Sequence, residues 1–166
     1  MRLFFAAWPP PETARALEAW ASPLQGRITP AHKIHLTLAF LGDVAPERAI
    51  LAARRVQAET HLIPIEIAQY WKHNRVLWAG PPETPKPLKA LVDKLHFELD
   101  RAQFTLERRP FAAHVTLLRA ARAPESLPPL PRIEWPVREF VLARSVLSGR
   151  GSTYEIAERF PLQDPG

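Results

Sequence analysis

IHLTLAFLG (residues 34–42) decides the reading of this chain, because its pattern returns as AHVTLLRA at residues 113–120. Each stretch alternates polar and apolar side chains. On a β-strand that alternation puts His35 with Thr37, and His114 with Thr116, on one face, and the aliphatic residues on the other. Two imidazoles and two hydroxyls are then available to line one cleft from two strands. A single His on a half-buried strand is ordinarily structural: it fills a rim position or satisfies a backbone carbonyl. The doubling changes that. The chain has only six His, Thr is scarce, and chance seldom repeats a four-residue phrase in a matched context.

Working outward, residues 2–8 read as a buried strand ending at Pro9, and residues 11–24 as a helix with Ala14, Leu17, Ala21 and Leu24 on one stripe. The first motif strand spans 34–41. A helix follows from Pro46 to about His61, and a single alternating strand covers 63–71, with Ile63, Ile65 and Ile67 on one side. Residues 75–79 form a short strand after a tight turn. Residues 86–99 carry the clearest helical stripe: Leu88, Leu91, Val92, Leu95 and Leu99. Strands are expected at 103–107 and 113–118, a proline-rich crossover at 124–136, and two long strands at 137–147 and 152–160 around Gly149-Arg150-Gly151. Helices between strands imply α/β layering, and the tight turns imply antiparallel pairs. A largely antiparallel sheet covered by helices fits better than a doubly wound one. AAWPPPE has prolines where a phosphate-binding loop after the first strand needs glycines. A motif strand with a helix near it in each half suggests an internal duplication.

The 166 residues suit one compact unit or two small lobes sharing a core. The net charge of +5 favours anionic ligands such as phosphates and falls short of an extended nucleic-acid coat. Absence of Cys excludes disulfides, thiolate nucleophiles and Cys-based metal sites. The opening MRLFFAAWPPPET is too short in apolar residues for a signal segment, and no run approaches the roughly 20 apolar residues of a membrane span. A cytoplasmic monomer is the default expectation. The 19 prolines cluster at 9–11, 81–87, 124–131 and 161–165, where they punctuate elements.

The doubled motif suits a phosphodiester attacked in line by water. One imidazole takes a proton from water and the other gives one to the leaving alkoxide. Each Thr, two residues along the same strand, donates to a non-bridging oxygen where charge builds up. Ordinary imidazole pKa values place the limbs of the pH profile around roughly 6 to 8. No metal is required, and no carboxylate lies at useful spacing to either His.

RLFFAAWPPPE, ITPAHKIHLTLAFLG, RVLWAG, RRPFAAHVTLLR and SVLSGRGSTYEIAERFPL together resemble the 2H phosphoesterase superfamily over nearly the whole chain. Within it the resemblance is to the RNA 2′,3′-cyclic phosphodiesterases, also called 2′-5′ RNA ligases. The resemblance implies an α/β, α+β-like fold that is bilobal and duplicated, with two mostly antiparallel sheets flanked by helices around a central cleft. Residues 1–166 are then a single domain of two pseudo-symmetric lobes. It implies hydrolysis of RNA or nucleoside 2′,3′-cyclic phosphates to 2′-phosphomonoesters without metal or other cofactor, with weak reverse 2′-5′ joining of RNA ends. It assigns His35 as proton donor, His114 as proton acceptor, and Thr37, Thr116 and Arg119 as phosphate-binding residues. The expected partner is RNA or a nucleotide ending in a 2′,3′-cyclic phosphate.

Rival readings are a related phosphoesterase acting on another cyclic phosphate, a non-catalytic RNA-binding module, and a His-based metal protein. Turnover of 2′,3′-cyclic AMP in excess chelator separates them. Lys33, Arg108 and Arg109 read as solvent-facing cations. Phe5, Trp8, Trp71, Trp78 and Phe111 read as packing residues rather than base-stacking platforms. Tyr154 reads as sheet structure, with the 148–153 turn able to fringe the pocket. His32, His61, His73 and His96 have no pattern that assigns them a role.

Overall fold

A strand–helix–strand unit occurs twice. In the first, β1 (Arg2–Ala7) leads through α1 (Pro11–Ala21) to β3 (Leu36–Gly42), with the two-residue strand β2 (Arg27–Ile28) and a 3-10 turn (Ala31–Lys33) between. In the second, β6 (Val76–Gly80) leads through α3 (Lys86–Arg101) to β7 (Val115–Arg119). In both units the two strands are antiparallel neighbours. Between the units lie α2 (Pro46–Arg54), β4 (His61–Ile65) and β5 (Ile67–Trp71). After them come β8 (Ile133–Val137), β9 (Glu139–Ser148) and β10 (Gly151–Pro161). The computed structural model describes residues 2–149 and 151–165; Arg150, in the expected glycine turn, lies outside the described residues.

The strands form two four-stranded sheets, in the orders β10-β9-β1-β3 and β2-β7-β6-β5, and a two-stranded ladder of β4 with β8. This is an α+β fold with antiparallel sheets and three helices among the described residues. The units are stitched together. β2, which precedes the first motif strand, pairs with β7 of the second unit, while the C-terminal hairpin completes the sheet of the first. Proline opens all three helices, where its missing N–H is one of the orphans anyway. Leu88, Leu91, Val92, Leu95 and Leu99 of α3 are all buried, as their spacing requires. None of the described helices is long and apolar enough to cross a membrane.

Each motif strand carries an extra residue directly after its Thr. Phe5 lies opposite Ala39 and Ala6 opposite Thr37, so Leu38 is a surplus residue of β3. Leu77 lies opposite Leu118 and Trp78 opposite Thr116, so Leu117 is the surplus residue of β7. A bulge of this kind breaks the two-residue alternation. Leu38 and Ala39 both enter the core, and so do Leu117 and Leu118. Phe40 and Arg119 then come out on the face of the His and Thr before them, and β3 slips once more at Leu41, between the Phe4–Phe40 and Leu3–Gly42 pairs. A bulge also frees backbone groups that must be satisfied. The Leu38 carbonyl accepts from His96 Nε2 at 2.8 Å, and the Leu117 carbonyl accepts from the Thr29 backbone N–H at 2.8 Å. His96 is thus a support for β3 reaching up from α3.

Four expectations are corrected. Residues 103–107 form no strand: Gln103 turns the chain at φ 68° after α3, and the place beside β7 where such a strand would pair belongs to β2. Residues 63–71 are not one strand. The run breaks at Glu66, so that β4 joins β8 and β5 joins β6. The helix expected to reach His61 ends at Arg54, because residues 58–60 pair instead with Gln163. The crossover at 124–136 is not all loop: β8 begins at Ile133 and seats Trp135 in the core, with no exposed surface. Trp135→Ala is therefore expected to cost about 3–5 kcal/mol, the usual range for deleting a buried large aromatic. Urea unfolding monitored by circular dichroism measures it, and a loss under about 1 kcal/mol would return this segment to the surface.

Candidate active site

The bulged strands bring both motifs to one cavity of about 570 Å³, within the usual range for small-ligand pockets. His35, Thr37, His114, Thr116 and Arg119 all line it. All five residues singled out from sequence therefore share one site. Phe40, which holds in β3 the place that Arg119 holds in β7, stays half exposed and outside the cavity lining.

The two imidazoles are set by the same local device. His35 Nδ1–H donates to the Lys33 carbonyl at 2.8 Å, and His114 Nδ1–H donates to the Ala112 carbonyl at 2.7 Å. A carbonyl oxygen only accepts, so Nδ1 carries the proton in each ring, and Nε2 keeps its lone pair. Among the described residues no protein group engages either Nε2, or the hydroxyls of Thr37 and Thr116. Both Nε2 atoms and both hydroxyls are left for a ligand.

Aromatic rings hold the imidazoles in place. Trp8 stacks on His35 at 4.7 Å between centroids, Tyr154 meets its ring edge-on at 5.0 Å, and Phe4 closes a third side at 5.2 Å. Trp71 meets His114 edge-on at 4.7 Å, with Trp78 at 6.0 Å. Phe4 and Trp8 share one face of the first strand and its continuation, a spacing that could have flagged them. Tyr154 reaches His35 only through sheet pairing, and no local pattern announces it. Lys33 is not a free surface cation. It lines the cavity and its Nζ donates to the Ser152 carbonyl at 2.7 Å, tying the 3-10 turn to β10. Gly151 and Ser152 do fringe the pocket. Arg109 is exposed and pairs with Glu107, and neither it nor Arg108 lines the cavity.

Residues 9–148 match the family described as the 2′-5′ RNA ligase superfamily. The chain belongs to that superfamily. It is 34% identical to the RNA 2′,3′-cyclic phosphodiesterase of Escherichia coli K12, over 97% of this chain and 96% of that protein. It is 32% identical to the protein of the same name from Thermus thermophilus, over 98% of this chain and 91% of that one. Its fold matches the crystal structure of E. coli LigT in apo form with a TM-score of 0.91, at 32% identity and 98% coverage of both chains.

In this 2′-5′ RNA ligase superfamily member the two imidazoles are neutral at pH 7 when the cavity is empty. Burial drives the His35 pKa down to about 4; the hydrogen bond to Lys33 opposes that shift, while the charges of Arg119 and His114 add to it. His114 is lowered by burial too, again opposed by its carbonyl partner and assisted by Arg119. An anion among them favours the charged form of each ring and reverses the direction. In a phosphate-free NMR titration the His35 ring should protonate near pH 4 and that of His114 below 6.5. Inorganic phosphate should raise both, and Arg119→Ala should raise both without phosphate. Rings that titrate at ordinary imidazole values in the empty protein would contradict this electrostatic picture.

Proposed function

We propose that this chain hydrolyses RNA or nucleoside 2′,3′-cyclic phosphates to 2′-phosphomonoesters, as its relatives' names describe the substrate. One observation carries the reading: two unengaged Nε2 atoms and two unengaged hydroxyls line one cavity together with an arginine. That set matches what in-line displacement at phosphorus requires.

His114 acts as the base. Its neutral Nε2 accepts a proton from water as the water oxygen bonds to phosphorus. His35, protonated in the presence of the anionic substrate, delivers its Nε2 proton to the 3′ oxygen as the P–O3′ bond breaks. A 3′-hydroxyl and a 2′-phosphomonoester result, and solvent returns the two imidazoles to their starting states. Thr37 and Thr116 donate to the non-bridging oxygens, and Arg119 offsets the charge that grows there. A 5′-hydroxyl in place of the water would give a 2′-5′ linkage by the same bond changes. Proton transfer from water to one imidazole and from the other to the leaving oxygen makes no use of a metal ion. The same reading takes residues 1–166 as one catalytic domain of two related lobes, each lending one strand–helix–strand unit.

Turnover of 2′,3′-cyclic AMP in excess chelator tests this. Activity should persist, and phosphorus NMR should show the 2′-phosphate. His35→Ala and His114→Ala should each lower kcat by about 10²- to 10⁴-fold, and Thr37→Ala or Thr116→Ala by about 10- to 10³-fold. Near-wild-type kcat in both His variants would end the proposal.

The pH dependence follows from the same pair. The kcat/KM profile reports the free enzyme, where both rings are pushed down, so its optimum should fall below pH 6.5. That is lower than ordinary imidazole values suggest. The kcat profile reports the complex, where the bound anion raises both rings, so it should lie at higher pH. Rapid-mixing rates across pH 4–9 distinguish the two curves; coincident bells centred above pH 7 would refute the assignment.

A further inference from the structure

β2 is two residues long, yet it is held at both ends. The Thr29 N–H reaches the Leu117 carbonyl at 2.8 Å, and the Arg122 N–H reaches the Gln25 carbonyl at 3.0 Å. The register so fixed puts Arg27 directly opposite Arg119. Like charges directly opposite on neighbouring strands are destabilising. Arg54, Arg101, Arg109, Arg132 and Arg159 each have a carboxylate partner. Among the described residues neither Arg27 nor Arg119 has one, as is true of several other arginines, but these two stand opposite each other and both line the cavity. An uncompensated pair of guanidinium groups facing a polar cavity calls for an anionic ligand.

Charge stoichiometry says how much. A cyclic phosphodiester brings one negative charge, which Arg119 and the protonated His35 already offset, while the two hydroxyls donate to its oxygens and Lys33 is held on the Ser152 carbonyl. Arg27 remains, on the other strand of the pair. An RNA end brings a second negative charge close by, on the 5′ oxygen of the same terminal nucleotide. Resting on the function proposed above, we propose that Arg27 is a subsite for this second phosphate, so that the preferred substrate is an RNA end and not a free cyclic mononucleotide.

The test compares three substrates: adenosine 2′,3′-cyclic phosphate, its 5′-phosphorylated form, and a dinucleotide ending in the cyclic phosphate. In the wild type the last two should have the higher kcat/KM. Arg27→Ala should lower their kcat/KM about 10- to 100-fold more than that of the first, the usual worth of a hydrogen bond to a charged group. The change should sit in KM rather than kcat, Arg27→Lys should restore part of it, and Arg27→Gln should reproduce it if the Ala variant is unstable. For the dinucleotide, the slope of log(kcat/KM) against log salt should fall by about 0.7 in Arg27→Ala, as for one lost single-strand phosphate contact. Equal losses on all three substrates, or none on any, would overturn the subsite. An advantage confined to the terminal 5′-phosphomonoester would overturn its assignment to the RNA chain. Calorimetry separates this proposal from the one it rests on, because it needs no turnover. Adenosine 2′,5′-bisphosphate should bind the wild type more tightly than adenosine 2′-phosphate. Arg27→Ala should lose that advantage even if no substrate is turned over, and its retention would sink the subsite.

Discussion

A surplus residue after each motif Thr organises this molecule. A strict two-residue alternation would carry His35, Thr37 and Ala39 to one face, and His114, Thr116 and Leu118 likewise. The bulges at Leu38 and Leu117 interrupt it, sending two consecutive apolar residues into the core and bringing Phe40 and Arg119 out on the face of the Thr, where Arg119 reaches the cavity. The core gains contact area at the same step that re-aims the residue after each apolar pair. The freed carbonyls do not go unsatisfied, since α3 lends His96 to one and the chain before β3 lends the Thr29 N–H to the other. A buried acceptor without a donor costs about 1–3 kcal/mol, so these two partners help decide whether the bulges persist.

The cavity sets burial against charge. Aromatic rings around His35 and His114 fix the imidazoles and keep water from them, which disfavours the protonated form. Arg119 adds to the same effect from the cleft. The empty site is therefore poor in protons, and it becomes able to hold one only when an anion enters. The proton and the phosphate are linked through the same electrostatic field, so occupancy and protonation change together.

Much of the fold was legible because it is local. The stripe on α3, the prolines in the first turns and the alternation of both motifs each follow from spacing within one element. The failures share a cause. β2, β8 and the break at Glu66 depend on which sheet edge is free for pairing, and a sequence window holds no record of that. The site divides in the same way. His35, Thr37, His114 and Thr116 were legible from a repeated phrase, and Arg119 only from the family resemblance. Tyr154, Lys33 and Arg27 reach the cavity by pairing between distant segments, and their neighbours in sequence say nothing of it.

The position of the bulges also divides each motif into a part whose length is fixed and a part whose length can give. Between His and Thr there is one residue, Leu36 or Val115, and no slack. Removing it would send the imidazole and the hydroxyl to opposite faces of the strand. After the Thr the situation is reversed. Losing Leu38 or Leu117 outright removes a packed side chain, but Ala39 or Leu118 still points inward and Phe40 or Arg119 still comes out on the face of the Thr. What the strand cannot do is keep the residue and flatten the bulge, for then Leu118 would face the cleft and Arg119 would turn in among leucines. Among related chains, a one-residue gap between the motif His and Phe40 or Arg119 should therefore fall just after the Thr and never between Thr and His.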